Sequence, residues 1–343
     1  MADTTKARSS ICLGRIWMAK FPNYFDCFLR SCATNPDIHW LIITDTPAPP
    51  HAPPNVRFYQ TTEAELIRRY ADKMGPELAA AGLNLDAQGT LDLFAKVVAA
   101  YRSGLFLDLK ITLGLVFDDL LAGYDFWGHC DFDMVFGDLR KFLTEEILTA
   151  HDKVLCRGHL TLYRNTPKVN RAFMLTCPGV PQFKDVLQTA RTVLFEEWLG
   201  LYLIFRYHDF PQYQAEFIAD ILPPTNWKIT RFEGAALQNY PEQVFYWYKG
   251  KVFHAHYNCD RGVVDDEYAY IHFQKRRMPA PAFNAFETDG FLVTPDGFVP
   301  YRREPITPAD FVRYNSERWR PWPELVQHVQ RALRRRLGLA PRK

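Results

Sequence analysis

The chain has 343 residues, of which 48% are hydrophobic and 23% charged, a balance typical of soluble globular proteins that excludes an intrinsically disordered chain. Its formal charge is +2, too small for the polycationic surface of most nucleic-acid binders. No apolar run approaches the roughly 18 residues that span a bilayer, and Arg15 interrupts the only apolar stretch near the start, so we expect neither a membrane span nor a signal peptide. The 7 cysteines contain no Cys-x-x-Cys pair and predict reduced thiols, which favours a cytoplasmic location.

In the first third of the chain, predicted strands alternate with predicted helices. This alternation predicts an α/β domain whose central sheet is mixed but mainly parallel and is flanked by helices. The predicted strands are Ile11–Trp17, His39–Ile43 and Val56–Tyr59, and the predicted helices cover about 22–34, 61–73 and, with breaks at Gly82, Gly89 and Gly104, 76–122.

Shorter elements follow, and no internal repeat or low-complexity linker separates them. We therefore predict a disordered lead-in at residues 1–9, one catalytic domain at 10–300, and a C-terminal helical tail at 305–343. The basic, amphipathic tail predicts either contact with an anionic membrane surface or packing on the domain. The later predictions are strands at 125–131, 154–156, 160–163 and 268–273, helices at 139–148 and over most of 181–220, a hairpin joining 244–248 to 252–257, and a second hairpin around 295–297.

An acidic segment supplies the candidate chemistry. Seven aspartates fall within residues 108–138, and two of them form the sequence Asp131-Phe132-Asp133 directly after a predicted strand. Carboxylates at positions i and i+2 beyond a strand can converge on one Mg²⁺ or Mn²⁺, cations that prefer oxygen ligands and leave coordination positions open for phosphate. Such a metal neutralises the charge that grows on a diphosphate leaving group.

Residues 124–142, which read YDFWGHCDFDMVFGDLRKF, resemble a bacterial family, itself uncharacterised, whose members are regarded as glycosyltransferases of the GT-A fold. That family is associated with the assembly of capsule and other surface polysaccharides. The resemblance spans about 11–278 and excludes the tail. Five further segments agree with it in order: FPNYF at 21–25, ITD at 43–45, DLK at 108–110, GHLTLYRN at 158–165 and YAYIHFQKRRM at 268–278.

The resemblance implies a nucleotide-sugar donor, most simply a UDP-sugar, a metal cofactor (Mn²⁺ or Mg²⁺) and a glycan acceptor. It assigns Asp133 to the metal, Asp131 to the metal or the ribose, and His272 to the metal or the diphosphate. It also places Asp108 and Lys110 in the donor pocket, although on a regular helix two such residues point about 200° apart.

Other polar residues are candidates on weaker grounds. Asp45 follows a predicted parallel strand at the edge where open α/β sheets bind ligands, so it is a candidate for contact with the base or ribose. His159, Arg164 and Asn165 are candidates for sugar hydroxyls, or else ordinary polar residues of a strand and turn. The Lys275–Arg277 triplet either screens the diphosphate or is a solvated strand end.

If the reaction inverts the sugar, a carboxylate must deprotonate the acceptor. We predict a helix that carries Glu216 and Asp220 on one face, with Glu216 as the candidate base. This segment is less acidic than the corresponding motif of the family that the chain resembles.

Two alternatives remain at this point. The first is a phosphatase of the haloacid-dehalogenase type with Asp131 as its nucleophile. In such phosphatases the nucleophile follows the first strand, whereas here about 110 folded residues precede Asp131, which disfavours this alternative. The second is a non-catalytic sugar-binding or scaffold protein of polysaccharide assembly.

Overall fold

The computed structural model describes most of the chain and divides it into two units. The first unit comprises residues 1–25, 29–132 and 139–215, and the second comprises 26–28, 133–138 and 216–343. The predicted domain of residues 10–300 is therefore distributed over both units. The described residues are 8–101, 107–189, 193–197, 200–215, 217–221, 239–240, 243–258, 260–273, 278–294, 296–301 and 306–314.

Strands and helices alternate in the first part of the chain, and strands predominate later. The strands are β1 Ile11–Trp17, β2 Ile38–Thr44, β3 Val56–Gln60, β4 Phe126–Cys130, β5 Met134–Phe136, β6 Lys153–Arg157, β7 Leu160–Arg164, β8 Gln212–Tyr213, β9 Ile218–Asp220, β10 Gln243–Tyr248, β11 Lys251–Asn258, β12 Gly262–Tyr268, β13 Tyr270–His272, β14 Gly290–Thr294 and β15 Gly297–Tyr301. The α-helices are α1 Phe25–Ala33, α2 Glu63–Ala80, α3 Ala87–Tyr101, α4 Leu113–Val116, α5 Leu139–Phe142, α6 Glu145–Ala150, α7 Pro167–Asn170, α8 Phe183–Thr189, α9 Leu201–Tyr207 and α10 Pro308–Tyr314, and 3-10 helices lie at Leu107–Thr112, Ala172–Met174 and Ala285–Glu287.

The first unit contains a seven-stranded sheet in the order β3-β2-β1-β4-β7-β6-β8. Neighbouring strands from β3 to β4 are parallel, β7 is antiparallel to both β4 and β6, and β8 is parallel to β6. The predicted mixed α/β architecture with a mainly parallel central sheet is thus confirmed. The parallel strands are nearly continuous apolar runs because they are buried, as in α/β proteins generally.

Helices α2 and α3 contribute to the core of the first unit. Thr62 and Glu65 form a capping box that fixes the start of α2 and satisfies the otherwise unpaired amides of its first turn. Trp127 on β4 stacks on Tyr163 with ring centroids 4.5 Å apart. Between β4 and β7 the backbones approach so closely at Gly128 that an added Cβ would collide with the Thr161 carbonyl oxygen. The glycine that interrupts the apolar pattern of this strand is therefore a packing requirement.

The second unit holds two sheets. The larger has five antiparallel strands in the order β12-β11-β10-β14-β15, and the smaller has three in the order β5-β13-β9. In the smaller sheet β13 is antiparallel to β5 and parallel to β9. Trp247 on β10 donates its indole N–H to the Phe136 carbonyl at 3.0 Å, which ties the two sheets together within this unit.

Several predicted boundaries differ from the structure. Helix α2 continues through Pro76 to Ala80, α3 runs through Gly89, and the helix predicted over 139–148 is divided into α5 and α6. The predicted helical region 181–220 contains α8 and α9 but ends in strands, and Asp220 lies on β9. The prediction that Asp220 shares a helix face with Glu216 is therefore wrong, and Glu216 itself lies outside the described residues.

The sequence also does not predict β12. The two predicted hairpins are present as β10–β11 and β14–β15.

The predicted tail helix falls mostly outside the described residues, which include only 306–314 of this region. None of the helices in the described ranges is both long enough and apolar enough to cross a membrane.

Candidate functional site

The carboxyl ends of parallel strands in the first unit carry the polar residues of the candidate site. Asp45 directly follows β2 and is exposed, and Asp131 directly follows β4. Arg15 lies near the carboxyl end of β1, the strand between them. Because these strands are parallel, their ends share the sheet edge at which open α/β sheets bind ligands.

Asp131 is held by two cations from earlier parts of the chain. Its Oδ1 accepts hydrogen bonds from Arg15 Nη1 and Lys110 Nζ, each at 2.6 Å. Both cations are almost fully buried, with side chains 2% and 3% exposed, while the Asp131 side chain remains 15% exposed. The Arg15 guanidinium also lies over the Trp17 ring, 5.6 Å from its centroid. These ion pairs place two buried cations on one partly accessible carboxylate.

Asp108 and Lys110, on the 3-10 helix Leu107–Thr112, act on different partners. Lys110 Nζ donates to the Gly158 carbonyl at 2.8 Å as well as to Asp131. The Asp108 carboxylate accepts the backbone N–H groups of Val193 and Phe195 at 2.9 and 2.7 Å. Both residues are buried. Their side chains have different partners: Asp108 fixes the turn that contains Val193 and Phe195, and Lys110 reaches Asp131 at the sheet edge.

In the second unit, a histidine lies between two carboxylates. His272 on β13 is paired in register with Asp220 on β9, and its Nδ1 lies 2.8 Å from Asp220 Oδ1. Its Nε2 lies 3.5 Å from Asp133 Oδ1. Burial lowers the pKa of His272, but Asp133 and Asp220 outweigh that effect and raise it to about 10.

This triad of Asp133, His272 and Asp220 fits a hard divalent cation. With a pKa of about 10 the unliganded ring carries a proton on both nitrogens. A cation that displaced the Nε2 proton would use the lone pair directed towards Asp133 while Nδ1–H donates to Asp220, as in the carboxylate–histidine–metal arrangements of many metalloproteins. Nε2 of His272 and a carboxylate oxygen of Asp133, 3.5 Å apart, are a donor pair of the kind that Mn²⁺ and Mg²⁺ accept.

The remaining sugar-binding candidates mostly contact the protein backbone. Asn165 donates to the carbonyls of Leu121 and Tyr124 at 2.9 and 3.0 Å. Arg164 donates to three carbonyls of the α6 end and to Asp152. His159 is buried, and its carbonyl accepts the backbone N–H of Asp131 at 3.0 Å, so it positions the residue that follows β4. Lys275 and the rest of its basic triplet lie outside the described residues, as does Glu216.

Two residues of these networks were not candidates from the sequence. Arg15 is a charged residue inside an otherwise apolar strand, and that break in the pattern is the available signal. Asp220 gives no local signal for its contact with His272, because the pairing of β9 with β13 joins segments about fifty residues apart.

The sequence profile of DUF6625, described as a family of unknown function, matches residues 15–81 and 86–302. No curated protein matches the chain in sequence. Among solved structures, mouse xyloside xylosyltransferase 1 in its apo form is similar at a TM-score of 0.32 and 8% identity, over 63% of this chain and 88% of that one. At that score the likeness supports no argument about shared architecture or activity.

Proposed function

The chain belongs to DUF6625, a family of unknown function, and we propose that it is a glycosyltransferase that takes its sugar from a nucleotide-diphosphate donor with the help of a divalent cation. The observation that carries this proposal is the Asp133–His272–Asp220 triad, because the second carboxylate of the Asp-x-Asp sequence meets a histidine that another carboxylate orients. The resemblance of residues 124–142 to glycosyltransferases supports the same activity.

In this proposal Asp133 and Nε2 of His272 hold Mn²⁺ or Mg²⁺, and Asp220 keeps the proton on Nδ1. The bound cation supplies charge neutralisation for the diphosphate as the bond to the sugar breaks. Asp131 keeps Lys110 and Arg15 at the sheet edge of the first unit, where two buried cations favour an anionic ligand.

The finer features of the proposal rest on the resemblance. They are a UDP-sugar donor, a growing surface glycan as acceptor, donor contacts from Asp45, Asp108, His159, Asn165 and Lys275, and peripheral membrane contact through residues 305–343. Glu216 stays the candidate base for an inverting reaction.

The first test is a thermal-shift assay with UDP, GDP, CMP and dTDP, each with Mn²⁺ or with EDTA. The variants are Asp133→Ala and, as a matched control, Asp92→Ala, which removes an exposed carboxylate on α3. A nucleotide at about a hundredfold its dissociation constant stabilises the folded protein by about 2.7 kcal/mol, enough to raise the midpoint by a few degrees.

We expect one nucleotide to give a shift that needs the metal and is lost in Asp133→Ala but not in Asp92→Ala. If no nucleotide shifts the wild type, the proposal is wrong. A stable beryllofluoride adduct on Asp131 in that case would favour the phosphatase alternative.

A further inference from the structure

The turn at residues 193–197 of the first unit is held in a conformation that its sequence does not favour. Both oxygens of the buried Asp108 carboxylate accept backbone N–H groups from this turn, at Val193 and Phe195. Between them Leu194 has φ +58°, the left-handed region that costs an L-residue with a Cβ free energy. Such strain persists only where the surrounding structure imposes it, and it is concentrated at functional sites.

The result of this turn is that Glu196 is directed into the protein. Its side chain is 1% exposed, and neither carboxylate oxygen has a hydrogen-bonding partner in another residue of the described ranges. Burial raises the pKa of the Glu196 carboxyl above its usual range, with Lys110 opposing that shift and Asp108 adding to it. A buried carboxyl without partners destabilises the fold, so its retention needs an explanation.

Other polar groups without partners lie around Lys110. His129 on β4 is fully buried, and within the described part of the chain neither ring nitrogen has a hydrogen-bonding partner. Burial, followed by Lys110, holds the pKa of His129 well below its usual range, so its ring is neutral. Glu196 approaches the backbone at Gly158, where an added Cβ would lie 3.2 Å from Oε1, and the Gly158 carbonyl accepts from Lys110.

Glu196 and His129 therefore carry hydrogen-bonding atoms without partners among the described residues, near Lys110, whose ammonium donates to Asp131 and the Gly158 carbonyl. A ligand that pairs with all of them must donate and accept at several neighbouring atoms, which is the property of adjacent hydroxyl groups. We propose that Glu196 and His129 belong to the pocket that hydrogen-bonds the hydroxyls of the donor's sugar. This inference rests on the proposed function and assigns it a sugar-recognition residue.

The first test compares a bare nucleotide with its sugar conjugates. Calorimetry on the wild type, E196Q and the exposed control E146Q measures affinity for the nucleoside diphosphate that shifts in the thermal assay and for its glucose, galactose and N-acetylglucosamine conjugates. In E196Q we expect affinity for the bare diphosphate to stay within about twofold, while affinity for the preferred conjugate falls about tenfold or more, because the Gln amide cannot reproduce the hydrogen bonds of a carboxyl.

Equal effects of E196Q on the diphosphate and its conjugates, or no effect on either, would overturn the inference while leaving the proposed function intact. So would a wild type that binds no conjugate more tightly than the bare diphosphate. A wild type that binds no nucleotide at all refutes the proposed function itself, and the sugar pocket with it.

A second measurement needs no ligand. Because Glu196 is buried and its carboxylate has no hydrogen-bonding partner among the described residues, E196Q and the nearly isosteric E196M should raise the thermal midpoint of the unliganded protein by about 1–2 °C, as is common when a residue kept for function is replaced. If Glu196 had a structural role, both substitutions would lower the thermal midpoint. A lowered midpoint in E196Q would count against the pocket whether or not E196M folds.

Discussion

Asp131 and Asp133 are the same residue type, two positions apart in the chain, yet their surroundings differ in charge. In the first unit Asp131 binds two buried cations, Arg15 and Lys110. In the second unit Asp133 faces His272, whose other ring nitrogen contacts the Asp220 carboxylate. The first arrangement favours an anion and the second favours a cation. The two carboxylates of one Asp-x-Asp sequence thus have surroundings of different electrostatic character.

The difference teaches that the motif does not determine the role of its carboxylates. Their neighbours do, and those neighbours come from β1, a 3-10 helix, β9 and β13, which are distant in sequence. Variants that remove a neighbour, rather than the aspartates, therefore test the comparison most directly.

Removal of Lys110 should have the largest effect. Lys110→Ala removes one hydrogen-bond donor from the mostly buried Asp131 carboxylate and one from the Gly158 carbonyl. We therefore expect the free energy of unfolding to fall by about 3 kcal/mol. Denaturant unfolding monitored by circular dichroism measures the change. The matched control is Lys73→Ala, whose ion pair with Asp118 is 37% and 50% exposed and should be worth less than about 1 kcal/mol. Equal losses in the two variants would mean that the Asp131 pair is an ordinary surface contact.

Removal of Asp220 should have an intermediate effect, on metal affinity. Asp220→Ala removes the acceptor that fixes the His272 tautomer, so we expect Mn²⁺ affinity to fall about 10- to 100-fold. Asp220→Asn keeps a side-chain oxygen that can accept the Nδ1 proton, so it should recover part of the affinity. Electron paramagnetic resonance titration of free Mn²⁺ gives the dissociation constants. Nitrogen NMR of the unliganded protein gives the pKa of His272 independently, and an unchanged pKa in Asp220→Ala would show that the Asp220 carboxylate does not act on the ring.

Local patterns predict the first strands of the first unit well, since β1 and β2 are largely apolar runs whose burial needs no knowledge of their partners. The β10–β11 hairpin is predicted equally well, because Lys249 and Gly250 form its turn and both have positive φ. The short strand β9 could not be predicted, because three residues carry too little periodicity. It is defined by its pairing with β13.

The same distinction applies to the candidate site. Asp131, Asp133 and His272 are candidates from motif and resemblance, and the structure places each within a charged network. Arg15 has only the break in an apolar strand as its sequence signal, and Glu196 could not be assigned from sequence, because the role of a buried charge depends on what surrounds it. Whether the candidate residues bind a nucleotide-sugar stays a prediction.

The smallest predicted effect concerns a second buried histidine of the second unit, His254, which provides the contrast to His272. The Nε2 of His254 lies 2.9 Å from Gln243 Oε1. The neighbours of His254 are His256, two residues further along β11, Asp266 of β12, which is paired with His254, and the ring of Tyr240. Burial, followed by His256, lowers the pKa of His254 to about 3. The pKa of His272 is raised because Asp133 and Asp220 outweigh burial, so two buried histidines of one unit are shifted in opposite directions by the charges that act on them.

For His254 the pKa is lower in the folded protein than in the unfolded chain, whose value is about 6.5. Below that value the unfolded chain binds more protons, so this group costs stability as the pH falls from 6.5 towards 3. The wild type should therefore lose about 1 kcal/mol more than His254→Gln between about pH 7 and pH 5.5. Urea unfolding at several pH values measures how the free energy of unfolding of each protein changes with pH. At pH 8 the imidazole is neutral in both the folded and the unfolded state, so the difference in unfolding free energy there gives the pH-independent cost of the substitution. If the free energies of unfolding of the wild type and His254→Gln change with pH in parallel, His254 is not held neutral, and the contrast between His254 and His272 does not hold.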